Sequence, residues 1–198
     1  MKNTQYPLKL SFKIGTLAND FSIKDANQST VAYVRQKMFK FIEEIQVFTD
    51  ESKAEIQYTI KANKWIDFSA SYQFFDAEGK QIGRVARKGM ASLWKARYEI
   101  YNGNDEFLFM IQEENPWTKV FDAFLGEVPV VGMFTGYFFN PSYKVARKDE
   151  SIVRRLKKDA SFFGRSFSVE KVEELSQEED ETVVLSLMMM ILLERRRG

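Results

Sequence analysis

The residues best equipped for chemistry in this 198-residue chain are cations. Arg147, Lys148, Arg154, Arg155, Lys157 and Lys158 place six positive charges within twelve residues, diluted by Asp149, Glu150 and the adjoining Asp159. Such a stretch can hold a lipid headgroup or another phosphate, and each cation near an anionic surface contributes about 1 kcal/mol. The plainer alternative is a solvated connector. Arg84, Arg87 and Lys88 form a smaller group. Strand alternation puts Arg84 and Lys88 on one face and Arg87 on the other, so two of the three can act together. Arg195, Arg196 and Arg197 lie near the chain end, where they either touch a membrane surface or cap a helix C-terminus.

The chain has neither His nor Cys. That removes Ser-His and Cys-His catalysis, disulfides, thiol nucleophiles and the commonest transition-metal ligands. The sequence holds no Gly-rich phosphate loop, nucleophile elbow or paired metal ligands. Carboxylate, Lys, Tyr and Arg chemistry remains open, and no metal or cofactor is expected. The run Glu178-Glu179-Asp180-Glu181 reads as acidic bias at a helix start and not as a calcium loop. Lys and Arg total 29 against 28 Asp and Glu, a net charge of +1, so no global field gathers nucleic acid or an anionic membrane. Phe39-Lys40-Phe41 and Lys64-Trp65 interleave aromatics with cations but read as strand packing and not as base-stacking platforms. Residues 1–14 alternate polar and apolar and do not form a signal peptide. The missing Cys agrees with a cytoplasmic address.

The elements that must position these cations announce themselves as a repeat. Four segments share an alternating triplet ending in a turn residue: Phe21-x-Ile23-x-Asp25, Ile45-x-Val47-x-Thr49, Tyr72-x-Phe74-x-Asp76 and Tyr98-x-Ile100-x-Asn102. The anchors stand 24, 27 and 26 residues apart. Nine positions after each comes Val34, Tyr58, Val85 or Ile111, and twelve positions after each comes Lys37, Lys61, Lys88 or Glu114. Strand, polar turn, strand is a β-hairpin, and consecutive hairpins with one apolar face must close into a barrel or stack as a sandwich. Coincidental β alternation is the competing account.

Residues 115–126 break the repeat. Asn115 suits a cap, Pro116 a first helical position and Gly126 a stop, and Trp117, Val120, Phe121, Phe124 and Leu125 recur at helical steps. A short amphipathic helix laid on the outside is expected there. The apolar stretch 128–139 reads as a loop or turn leading to a buried strand, Tyr143-x-Val145 resumes the alternation, and Phe167-x-Val169-x-Lys171 is a further strand.

The last element decides the architecture. From Val183 to Leu193 ten of eleven residues are apolar, Ser186 being the exception. Eleven residues span about 16 Å, against the roughly 30 Å of a bilayer core, so no transmembrane span is expected. Yet the segment has no polar face with which to lie on a surface. It must be wrapped by protein, and the hairpins can wrap it. Val184, Leu185, Leu187, Met188, Met189, Ile191 and Leu192 are therefore assigned to a core helix, with the consecutive Met residues filling irregular space. The expected fold is mainly β, a closed antiparallel barrel around a hydrophobic C-terminal helix, formed by residues 1–198 as one domain.

Several features in this order resemble the tubby C-terminal-like superfamily, particularly its phospholipid-scramblase-like and LURP-one-related branches. They are the hairpins with Asp25 and Asp76-Ala-Glu-Gly at their turns, the step Asn140-Pro141-Ser142-Tyr143-Lys144-Val145, the stretch Ser161-Phe162-Phe163-Gly164-Arg165-Ser166-Phe167, and the terminal apolar helix. The resemblance runs from about Tyr6 to Arg197. It implies a twelve-stranded barrel around the helix, and a module that holds phosphoinositides through surface Lys and Arg or tethers partners to membranes. The chain departs from the scramblase branch in lacking a Pro-rich N-terminal arm, any Cys for palmitoylation and an Asp-rich calcium loop. The leading expectation is a non-enzymatic binding module for anionic phospholipid headgroups or a protein partner at the cytoplasmic membrane face, with Arg147, Lys148, Arg154, Arg155, Lys157 and Lys158 as the candidate contacts. A scramblase-like lipid-moving protein, a carboxylate enzyme in the barrel mouth, and a structural or regulatory protein are the alternatives.

Overall fold

The structure, a computed structural model, describes residues 1, 4–12, 18–37, 44–63, 71–88, 97–114, 142–159 and 166–195. Each triplet of the repeat opens a hairpin. The strands are β1 (Leu8–Phe12), β2 (Ala18–Lys24), β3 (Thr30–Lys37), β4 (Glu44–Phe48), β5 (Ile56–Asn63) and β6 (Ser71–Asp76). They continue with β7 (Gln81–Arg87), β8 (Arg97–Asn102), β9 (Phe107–Glu113), β10 (Ser142–Ala146), β11 (Ile152–Lys158) and β12 (Ser166–Lys171), followed by helix α1 (Gln177–Arg195). Neighbours in sequence pair antiparallel all the way round, and β1 pairs with β12 to close a twelve-stranded barrel. The expected outer helix at 115–126, the stretch 128–139, Asn140-Pro141 and 161–165 lie outside the described residues, as do Arg196 and Arg197.

The register shows why the repeat holds. Phe21 faces Val34, Tyr72 faces Val85, and Tyr98 faces Ile111, each pair thirteen residues apart. Tyr143 facing Leu156 repeats the offset in a fifth hairpin, β10–β11. In these four turns the anchor N–H donates to the carbonyl four residues on, as from Asp25 to Ser29 and from Asn102 to Glu106. The anchor carbonyl accepts from the third residue on, which is left-handed: Gln28 (φ 63°), Gly79 (82°), Asp105 (65°) and Glu150 (69°). This is a type I turn closed by a bulge, the common three-residue hairpin loop. Asp25 and Asn102 strengthen it by accepting backbone N–H groups of their own turns at 2.9–3.0 Å. The second hairpin has a loop two residues longer. Its turn begins at Asp50 and not at Thr49, so Ile45 faces Ile60.

The wall is not uniformly joined. Among the described residues strands β3 and β4 meet at two residue pairs, Tyr33–Phe48 and Val34–Val47, whereas every other neighbouring pair of strands shares at least four.

Helix α1 runs inside this wall. Ser176 and Glu179 form a reciprocal capping box, the Ser176 hydroxyl accepting from the Glu179 N–H and the Glu179 carboxylate from the Ser176 N–H. From Val183 to Leu192 every side chain is buried, including all seven residues assigned to the core helix. The two polar residues of the buried run are satisfied internally: Ser186 donates to the Thr182 carbonyl and Thr182 to that of Glu178. The inward rows of the strands meet the helix, with Leu8, Phe21, Ile60, Phe74, Phe109 and Leu156 among the fully buried side chains. No helix among the described residues is long and apolar enough to cross a membrane.

Candidate functional site

The six clustered cations do not stay together. A bulge between Val145 and Ala146 shifts the register of β11, so Val153 and Arg154 are both buried. Arg154, 1% exposed, aims its guanidinium at the N-terminus of α1. Its Nε and Nη2 donate to Asp180 Oδ1 at 3.1 and 2.5 Å, and its Nη1 donates to the carbonyls of Val153 and Glu173. Tyr6 donates its hydroxyl to the same Asp180 oxygen at 2.6 Å, and the guanidinium lies 4.7 Å over the Tyr6 ring. Burial, then the Asp180 charge, pushes the Tyr6 hydroxyl well above its ordinary pKa. Beside this group the Met1 ammonium donates to Tyr58 and pairs with Glu181 at 2.8 Å, and Gln177 donates to the same carboxylate. Burial alone would raise the Glu181 pKa, but these donors outweigh it and hold the carboxyl below its usual range. Arg154 therefore fastens the helix to the wall. The structure gives it no part in an outer face.

Arg147 also turns toward the helix start, 3.9 Å from Glu173 and 3.7 Å from Glu179. Lys148 is exposed in the β10–β11 turn. Lys158 is half-buried at the far end of β11. Arg155 and Lys157 stand on the outer wall, as alternation around the buried Leu156 requires. Of the smaller group, Arg84 stacks 3.7 Å over Tyr101 and pairs with Asp105, while Lys88 pairs with Glu99.

What the wall adds to Arg155 and Lys157 comes from other strands. Directly opposed residues share a face, so a row of register partners is a row of neighbouring side chains. One outer row reads Ser142, Lys157, Ser168, Lys9 and Lys24 across β10, β11, β12, β1 and β2. A second reads Arg97, Gln112, Lys144, Arg155 and Glu170 across β8 to β12. At about 4.8 Å between strands, Lys9 and Lys157 flank Ser168 about 10 Å apart at their backbones.

Carboxylates moderate the face. Lys157 holds both Glu170 oxygens at 2.9 and 3.0 Å, Ser168 donates to Asp159 at 2.7 Å, and Arg155 donates to Glu114 at 3.1 Å. Partial burial would raise the Glu114 pKa, but hydrogen bonds from Ser142 and Arg155, with the charges of Arg155 and Lys144, hold it low. Lys9, Lys24, Lys144 and Arg97 were absent from the sequence-derived set. Their outward direction was readable, since Lys9 sits between Leu8 and Leu10, but their adjacency to Lys157 depends on barrel closure. Among the described residues no group of three or more Asp and Glu is arranged to hold a metal ion.

Comparison with known proteins points the same way as the fold. The family model described as LURP-one-related matches residues 30–192. A crystal structure of an Arabidopsis thaliana protein superposes with a TM-score of 0.51 over 98% of this chain and 94% of that one, at 13% identity. No curated protein matches the sequence.

Proposed function

Because the chain belongs to the LURP-one-related family of the tubby-like superfamily, we propose that it is a binding module whose outer wall from β8 round to β2 recognises anionic phospholipid headgroups at the cytoplasmic membrane face. Family and barrel fold fit a non-enzymatic binding module. The observation that carries the choice of ligand is the row Lys157–Ser168–Lys9–Lys24, where cations from both halves of the chain meet on one surface. A lipid-moving role draws no comparable support, because the segment that would enter the bilayer, Val183–Leu192, is enclosed by the wall.

A protein partner is the second reading. Phe107 is 37% exposed beside Tyr101, over which Arg84 stacks, and these residue types dominate protein interfaces.

Co-sedimentation with vesicles of phosphatidylserine and phosphatidylcholine separates the readings. The wild-type chain binds the anionic vesicles, loses them in high salt, and ignores pure phosphatidylcholine. Removing two lysines at about 1 kcal/mol each weakens binding about thirtyfold, so Lys9→Glu with Lys157→Glu lowers affinity by at least that factor. Unchanged binding in the double variant would overturn the assignment of the face. Binding lost instead on Arg84→Ala or Phe107→Ala, with a protein in place of vesicles, would favour the second reading.

A further inference from the structure

The five hairpin turns and the segment 172–181 that leads into α1 lie at one mouth of the barrel, tied there by Arg147, Arg154 and the helix cap. Together, residues 25–29, 49–55, 76–80, 102–106, 147–151 and 172–181 hold sixteen of the chain's 28 Asp and Glu but four of its 29 Lys and Arg. The rest of the sequence therefore carries 25 cations against 12 carboxylates. A net charge of +1 conceals a molecule with one strongly acidic end.

The two basic rows start away from that end. Arg97 begins β8, Ser142 begins β10, and Lys157 lies next to the last residue of β11, all bordering the opposite mouth. The first row then runs round the wall to Lys24, beside the turn residue Asp25, and the second ends at Glu170.

We infer that the barrel meets an anionic surface in one orientation, with the wall near the start of β8 and β10 against the lipid and the acidic turn mouth held in water. The inference rests on the headgroup reading above and adds a direction to it. Within a Debye length of about 8–10 Å, an anionic surface attracts the basic rows and repels the carboxylates of the turns. Rotating the turns onto the lipid would bring their exposed carboxylates, Glu51, Glu78, Glu106 and Glu150 among them, to a surface of their own sign. Rotating the β4–β6 wall onto it would offer Lys61 but forgo Lys9, Lys144, Arg155 and Lys157. Both alternatives are disfavoured by the same charges that produce binding, so orientation and affinity have a common origin.

The chain's lack of Cys makes the test direct, since one introduced thiol is the only one. Glu51→Cys and Asn104→Cys mark two turns, and Gln112→Cys marks the wall between Arg97 and Lys144. Each full-length variant carries an environment-sensitive fluorophore and is added to phosphatidylserine–phosphatidylcholine vesicles bearing a lipid-borne quencher, with co-sedimentation measured on the same samples. The expected result is quenching at Gln112 several-fold greater than at Glu51 or Asn104, abolished by high salt. Vesicles of a cationic lipid should reverse the order. Bound protein with equal quenching at all three sites, or stronger quenching at the turns, overturns the orientation while leaving the headgroup reading intact. Failure to co-sediment overturns both, and an unreversed order on cationic vesicles overturns the charge polarity.

Discussion

A guanidinium is costly to take out of water, and it stays charged at any ordinary pH, so a buried arginine must find its full set of acceptors inside the fold. Arg154 finds Asp180 and the carbonyls of Val153 and Glu173, and lies over the ring of Tyr6. Its place among five other cations in the sequence hid this role, because composition carries no sign of the bulge that turns it inward. Lys9 shows the converse case: its outward direction follows from its apolar neighbours, but its partners across β12 and β11 do not. Removing the partner of a buried charge is more damaging than removing the pair. Asp180→Asn should therefore lower unfolding stability by about 3–5 kcal/mol in urea titrations. Arg154→Lys keeps the charge but loses the planar fork, and should fall between wild type and Asp180→Asn. Wall binding to vesicles should be unchanged in Arg154→Lys at temperatures where it remains folded.

At the scale of elements, the helix and strand β7 pack closely where Gly83 faces Thr182. An added Cβ on Gly83 would stand 2.6 Å from Thr182 Cγ2 and 2.7 Å from the Tyr101 carbonyl oxygen. The first contact can be relieved by a smaller neighbour, while the second is backbone and cannot swing aside. Gly83→Ala should cost about 1–3 kcal/mol, the usual range for overpacking, and Thr182→Ser added to it should restore part of the loss; thermal denaturation of the three variants checks both. The core helix and the tandem hairpins were legible because length and periodicity decide them. A segment apolar on all sides and too short for a bilayer leaves wrapping as the remaining solution. The turn displaced from Thr49 to Asp50 was not legible, since either residue type suits a turn and the extra loop length shows in the register alone.

For the molecule as a whole, distant parts of the chain are held together by carboxylates kept ionised. Glu181 ties the helix start to Met1 and Glu114 ties the end of β9 to Arg155 on β11, and both have pKa values held below the ordinary 4.5. A lowered folded pKa contributes stability that is fully present above the unfolded value and is lost as pH falls through the folded one. Urea midpoints should thus stay level from neutral pH down to about 5 and then fall, and the double variant Glu114→Gln, Glu181→Gln should start lower and show a shallower acid decline. Barrel closure could be inferred from the helix that needs enclosing. The particular join of β1 to β12 could not, because it links residues at opposite ends of the sequence. Nor could the gathering of the acidic turns at one mouth, because it depends on the direction in which each strand crosses the wall.

The thin joint between β3 and β4 gives this cylinder an unequal circumference. Among the described residues two pairs hold it there, while the helix rests mainly on the arc from β6 to β9, several strands away. The strands that meet at that joint are not the ones on which the helix chiefly rests. Enclosure and seating of the hydrophobic rod thus fall to different arcs of this architecture.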